Sequence, residues 1–451
     1  MITYSIIKKS QLKESQRIDA EYFQPEYLHI EKQLASTRTT KINEITKSVV
    51  NFGAYSLCNF IVWQETGIPY LNVENIKDGY IDFEDVKFID DEVNEILKKS
   101  KVKEGQVILT MAGTIGNAAV AHKIPPKINS NQATAKITLR EGFSPYFLAA
   151  FLNSYYGKKQ TEREIVSSVQ PNIFLWQIKK FSVPIVSKDK EKEIEKIYKD
   201  GLNTLELSKL LYDQAGDLLL DELGLKDFKI EDGLAYTVNL SDIKSAHRAD
   251  ADYFQPKYEN LIKSLKKAHQ PLRTLVIKRK GKKSKIILAD DYKYIEIRDI
   301  DIGSGEVSHT IRKGYDLPAN AKIKIEGGEL IVSKVRPTRG AVGIIPEGWS
   351  DNFVASGAFS VFEVLPPTRE YLQVVLRSFI GKLQLEKPTT GSSYPTVNDE
   401  DVENLIIPNL PLFTQQKIAD LVCQSHEARK KAKELLEKAK REVEDLISRV
   451  K

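Results

Sequence analysis

The chain has 451 residues, is 41% hydrophobic and 29% charged, and carries a formal net charge of +5. That length predicts two or more cores, and the composition is that of an ordinary soluble protein. The mild positive charge permits a nucleic-acid partner without demanding one. Two lone cysteines, Cys58 and Cys423, argue against a disulfide framework or a cysteine metal site and fit a reducing cytosol. The opening residues are too charged for a secretory signal, and no apolar run approaches the roughly 20 residues needed to span a bilayer.

Taken in order, the chain first presents RIDAEYFQPEY, Arg17 to Tyr27. The phrase returns as RADADYFQPKY, Arg248 to Tyr258, with eight of eleven positions identical. Such a repeat governs the whole architecture. An offset of 224 aligns Phe151–Gln160 with Val375–Gln384, Gly116 with Gly340 and Pro184 with Pro408. The opening phrase needs an offset of 231, so the early part of the second copy, between that phrase and Gly340, is seven residues shorter than in the first. Pro25 suits the first turn of a helix running through Leu28, Ile30 and Leu34. Between Thr46 and Leu139 the pattern shortens to strands and turns, with strands predicted at Ile68–Ile76, Gln106–Thr110 and Ala133–Leu139. Ser144 then caps, and Pro145 opens, a helix through Phe147, Leu148, Phe151 and Leu152. Thr368, aligned with Ser144, predicts the same cap in the second copy.

From about 187 to 222 charges surround an apolar stripe without proline, and 411–451 repeats the pattern. A 3,4 spacing places Ile194, Ile197, Gly201, Thr204, Ser208, Leu211, Ala215 and Leu219 on one helix seam. Its counterpart holds Ile418, Leu421, Ser425, Ala428, Ala432, Leu435 and Ala439, continuing to Val443, Leu446 and Val450. Small residues mid-seam predict two long helices in close, antiparallel contact. The alternative is that each covers only its own domain. The resulting expectation is an α+β chain with two similar mixed α/β domains in tandem, separated and followed by long helices packed as an antiparallel coiled coil. The expected boundaries are 1–185, 186–224, 225–410 and 411–451.

Catalytic signals are few. Phosphate-loop, H-E-x-x-H and nucleophile-elbow motifs are absent, as is the Asn/Asp-Pro-Pro-aromatic tetrad of amino-methyltransferases. The six histidines lack metal-ligand spacing. Glu14, Asp19 and Glu21 read better as helix-start residues than as catalysts. Basic features carry more. Lys278, Arg279, Lys280, Lys282, Lys283 and Lys285 form a run suited to phosphates, though such runs are often solvated loops. Between aligned strands the first copy has Met111–Asn117 where the second has Lys334–Ala341. There Lys334, Arg336 and Arg339 can address phosphates or guanine edges, the alternative being surface salt bridges. In the first copy Thr114, Asn117, Asn129, Asn131 and Gln132 offer amides and hydroxyls suited to adenine, or else simply form turns.

Two stretches carry a family resemblance. Gly391–Val422 reads GSSYPTVNDEDVENLIIPNLPLFTQQKIADLV, and Ser167–Ile197 is a weaker version. With the order domain, long helix, domain, long helix, they make the chain resemble the specificity (S) subunits of type I restriction–modification systems. Leu410-Pro411-Leu412 has a single proline, and Gln415 stands where the family usually has Glu. The resemblance implies two recognition domains that each read half of a split double-stranded DNA target, with paired helices setting the gap. A helix of about 30 residues spans roughly 45 Å, a little more than one duplex turn of roughly 34–36 Å. It also implies no cofactor in this chain, S-adenosylmethionine in two partner methyltransferase (M) subunits, restriction (R) subunits joined through the complex, and a cytoplasmic setting without membrane contact. Unlike loops on a shared frame imply unlike half-sites, hence an asymmetric target. The competing readings are a tandem scaffold that joins proteins through its helices without touching DNA, and a fused nuclease or methylase, which the missing motifs oppose.

Overall fold

The structure, a computed structural model, describes residues 4–449 except 16, 54, 166–170, 266–268, 279–285 and 391–393. It divides into two compact units, Met1–Leu205 with Lys430–Lys451, and Glu206–Arg429. No helix among the described residues is long and apolar enough to cross a membrane.

The first unit contains β1 (Thr39–Lys41), β2 (Thr46–Val50), β3 (Ile68–Leu71), β4 (Lys87–Ile89), β5 (Val107–Thr110), β6 (Ala118–Val120), β7 (Asn129–Ser130), β8 (Thr134–Leu139) and β9 (Ser182–Pro184). They form an antiparallel sheet in the order β2-β8-β5-β6, a mixed sheet β4-β3-β7 and the pair β1-β9. All three predicted strands appear, trimmed at their ends by turns. β5 is buried on both faces, which explains its unbroken apolar run. Val107 and Leu109 pack with Phe147, Leu148 and Phe151 of the helix Pro145–Asn153, while Ile108 meets Leu71 and Ile76 on the other side.

The second unit contains β10 (His269–Pro271), β11 (Ile277–Lys278), β12 (Asp291–Ile295), β13 (Thr310–Lys313), β14 (Ala321–Lys324), β15 (Leu330–Ser333), β16 (Val342–Ile344), β17 (Phe353–Ser356), β18 (Phe359–Glu363) and β19 (Ile406–Pro408). Its sheets run β11-β18-β15-β16 and β13-β12-β17-β14, with the pair β10-β19. The first and third follow the strand order of their counterparts, and the second gains β14.

The repeated phrase builds the same small structure in each unit. Arg17 Nε and Nη2 donate to Asp19 at 2.6 and 2.8 Å, and Asp19 accepts from the Tyr22 amide at 3.1 Å. Arg248 grips Asp250 at 2.8 and 2.9 Å, and Asp250 accepts from Tyr253 at 3.1 Å. The guanidinium groups lie 4.9 and 4.6 Å from the Tyr22 and Tyr253 ring centres. Hydrogen bonding to arginine holds both carboxyls below their ordinary range. The cluster around Asp19 is therefore part of the frame. Pro25 and Pro256 each open the helix that follows.

Ser144 caps its helix through the Phe147 amide at 3.3 Å, and its own amide donates to Glu191 Oε1 at 2.7 Å. The second copy corrects the expected cap. Pro367 is the cap residue and Thr368 is already helical. The Thr368 hydroxyl instead donates to Gln415 Oε1 at 3.1 Å. Gln415 aligns with Glu191, and its amide oxygen accepts as the carboxylate does, so glutamine serves at that position.

The long helices are Lys188–Leu223 and Leu412–Ser448. In the first unit the stretch ending at Leu205 runs antiparallel to the stretch after Lys430. A side chain at Gly201 would meet Leu436 at 3.1 Å and the Ala432 carbonyl at 3.4 Å. In the second unit Ser425 Oγ donates to the Ser208 carbonyl at 2.7 Å. The seam differs from expectation in register. Ile194, Gly201, Ser208, Ala215, Leu219, Ile418, Ser425, Ala432, Ala439 and Val443 are buried as predicted. At the alternate positions the buried residue lies one further on: Tyr198, Leu205, Val422, Arg429, Leu436 and Ile447, with Tyr212 partly exposed. Ile197, Leu211, Leu421, Ala428, Leu435 and Leu446 are half-buried on the flank. The step is 4,3 because the sheet-bearing part of each unit covers that side as well. Val450 lies outside the described residues.

Gly201→Val should destabilise the first unit by about 1–3 kcal/mol through overpacking, read as a lower melting temperature. Gly216, with open space where a side chain would go, should gain about 0.5–1 kcal/mol on substitution by alanine. Lys136 on β8 is wholly buried, and its amine donates to Ser130 Oγ at 3.1 Å and the Thr134 carbonyl at 3.4 Å. Burial pushes that amine down from 10.5 to about 7. The folded state then binds fewer protons than the unfolded one between those values, so stability rises with pH through the window. Lys136→Met should raise the melting temperature most below pH about 7 and least above about 10.5.

Candidate nucleic-acid interface

Two aligned hairpins carry the sequence-predicted contacts. In the first unit residues 111–117 join β5 to β6, and in the second 334–341 join β15 to β16. Each turn closes on a glycine with positive φ, 84° at Gly116 and 77° at Gly340. An aligned lysine backs each glycine. Lys158 Nζ donates to the Gly116 carbonyl and Asn117 Oδ1, both at 2.8 Å, and burial pushes its amine down. The Lys382 side chain lies 2.9 Å from where a Gly340 Cβ would sit. Aligned strand-like bridges, Ala112 with Asn172 and Val335 with Thr396, pin the loops from the other side.

On that shared frame the side chains diverge. Arg339 is exposed, without an ion pair to a described residue, whereas Arg336 is partly buried in a left-handed backbone conformation with its guanidinium 4.6 Å from the Tyr394 ring centre. Stacking fixes the Arg336 side chain at the loop base. Lys334 is tied to Asp399 at 2.9 Å, and Asp399 also accepts from Ser360 at 2.6 Å. Lys334 thus joins the frame rather than the loop surface.

In the first unit Thr114 is exposed at the loop tip. Asn117 spends its amide on the Ile76 carbonyl at 3.1 Å and its oxygen on Lys158. Asn129 must be withdrawn as a contact residue. It is fully buried, with Ser100 donating to it at 2.6 Å and its own amide donating to Asn94 at 2.9 Å. Polar partners from the segment 94–100 make that burial tolerable. Asn131 accepts from the Ala133 amide at 3.2 Å, a local turn bond. Gln132 Oε1 receives the Cys58 thiol at 3.7 Å. Thr114 and Gln132 therefore keep polar atoms to offer, while Asn117, Asn129 and Asn131 are engaged in holding the chain. In the basic run the Lys278 side chain, Arg279, Lys280, Lys282, Lys283 and Lys285 lie outside the described residues, as do 167–170 and 391–393 of the two family-like stretches.

One surface went unread in the sequence. Residues 55–66, after β2, align with the basic run and the residues following it after β11. Phe60, Val62 and Trp63 are 54%, 60% and 45% exposed there. The offset of 224 that revealed the repeat was the signal that could have found them.

Comparison with known proteins finds likenesses to this frame. The type I restriction modification DNA specificity domain matches residues 12–215. Solved structures align over nearly the whole chain at low identity. The S subunit of a type I restriction-modification system from M. genitalium is 12% identical, with a TM-score of 0.41, over 92% of this chain and 95% of that one. The HsdS subunit from Thermoanaerobacter tengcongensis is 13% identical, with a TM-score of 0.30, over 92% and 96%. Residues 12–215 are thus similar to the type I restriction modification DNA specificity domain.

Proposed function

We propose that this chain is the sequence-reading subunit of a type I restriction–modification complex and performs no chemistry itself. The observation that carries this reading is the pair of aligned hairpins, alike in their glycine and backing lysine and unlike in what they present, Thr114 in one unit and Arg339 in the other. A shared scaffold with unlike reading residues suits recognition of two different half-sites in one duplex. Residues 41–185 read one half-site and 225–410 the other, and the helices within 186–224 and 411–451 set the gap. Two methyltransferase subunits bind S-adenosylmethionine and supply the modifying chemistry, and restriction subunits join through the complex in the cytoplasm. The family match supports the DNA-reading part.

Sequencing of modified bases in cells carrying the intact system should reveal one split, asymmetric motif that vanishes when this chain is deleted. A modification pattern unchanged by the deletion contradicts the reading. One heptad inserted into both long helices should lengthen the gap by about 10 Å, roughly three base pairs. Arg339→Ala should weaken duplex binding while changing stability by no more than about 0.5 kcal/mol. Asp399→Ala, which strands Lys334, should lower the melting temperature.

A further inference from the structure

Residues 55–66 of the first unit leave apolar side chains in water, and their role below rests on the proposed DNA-reading function. Leu57, Cys58 and Ile61 pack against the small core of Phe52, Tyr70, Val93 and Leu97. Trp63 is anchored edge-on to buried Tyr70 at 5.2 Å, with Lys87 Nζ 4.5 Å from its ring centre. The stem is thus held to β3 and β4, while Phe60 and Val62 point out at more than half exposure. Clustered apolar side chains left in water mark a contact surface. We propose that Phe60 and Val62 form an apolar wedge that enters a groove of duplex DNA and parts a base step.

The surroundings favour DNA over a protein partner. Lys87, Lys98 and Lys99 are exposed around the stem without a carboxylate partner among the described residues. Lys99 lies 3.6 Å from where a Gly53 side chain would begin. On the neighbouring helix Asp91 is paired with Lys127 and Glu95 with Lys101, so exposed Glu92 on that helix and Glu65 in the loop stand against the three lysines. The aligned slot in the second unit carries six basic residues in eight, Lys278 to Lys285. A protein partner docking alike on both units would meet an apolar slot once and a polycationic slot once. Duplex DNA answers both, with stacked bases for the first and phosphates for the second. An inserted wedge reads how easily a step unstacks, which gives sequence preference without a base-edge hydrogen bond.

The test uses the full chain and a short duplex carrying the mapped site, with 2-aminopurine at successive positions. The wild-type chain should raise the probe's fluorescence at one step. Phe60→Ser with Val62→Ser should abolish that rise and weaken binding about tenfold, with the melting temperature unchanged. A wild-type chain that binds the duplex with no unstacking signal, or a double variant that keeps both signal and affinity, overturns the wedge and leaves the DNA-reading function standing. A double variant that binds the duplex normally but loses methyltransferase assembly overturns it in favour of a protein-docking loop. A full chain that binds no duplex at all overturns the wedge together with the function on which it rests.

Discussion

Helices lie flank to flank only where their side chains leave room, and this chain leaves room at small residues. Gly201 faces Leu436 and the Ala432 carbonyl in the first unit, and Ser208 faces Ser425 in the second. Each close approach lets the neighbouring seam residues reach into the sheet-bearing part of the same unit. Tyr198 is buried with its hydroxyl donating to the Gly79 carbonyl at 2.6 Å. The second unit uses charge instead. Arg429, 5% exposed at its side chain, pairs with Glu306 at 3.0 Å and Asp301 at 3.3 Å. Its aligned partner in the first unit is apolar Leu205, also buried. A buried cation is tolerable only with such partners, and removing one strands the other. The two units are thus fastened to their helices by different chemistry at equivalent positions.

The same division between what is kept and what varies runs through the recognition parts. The kept features are mechanical: an arginine gripping an aspartate under a tyrosine ring, a lysine behind a positive-φ glycine, and an acceptor at 191 or 415 tying a long helix to the start of the helix Pro145–Asn153 or Thr368–Arg377. The varied features sit at loop tips, where a change costs little stability and alters what a partner meets. Under the proposed function, recognition falls to residues that the fold does not need. Lys334 and Asn129 show the converse, since both look like readers in sequence and both hold the frame.

Much of the architecture was legible in the residues. The repeated phrase revealed two units, period-2 runs located the strands, and the apolar stripes located both long helices. The one-residue error in the seam has a definite cause. At most of the doubtful positions both neighbours are apolar, as with Leu435 and Leu436, so spacing alone does not choose between them. At 428 and 429 it chooses wrongly, because burial of Arg429 depends on Asp301 and Glu306, more than a hundred residues away in sequence. Asn129 misled for the same reason, its partners being Ser100 and Asn94. Lys136 belongs to this class too, a charged residue type inside a buried strand, visible only once the sheets are assembled. The candidate site was legible as two loops in matching slots, and less so residue by residue, since exposure and engagement are tertiary properties.

The central claim is that each recognition unit reads its own half of one target. Exchange of residues 41–185 for the corresponding domain of another specificity subunit tests it most directly, with modified bases mapped before and after. The account predicts that one half of the split motif changes while the other half and the gap stay as they were. A motif that changes in both halves, or in neither, contradicts it.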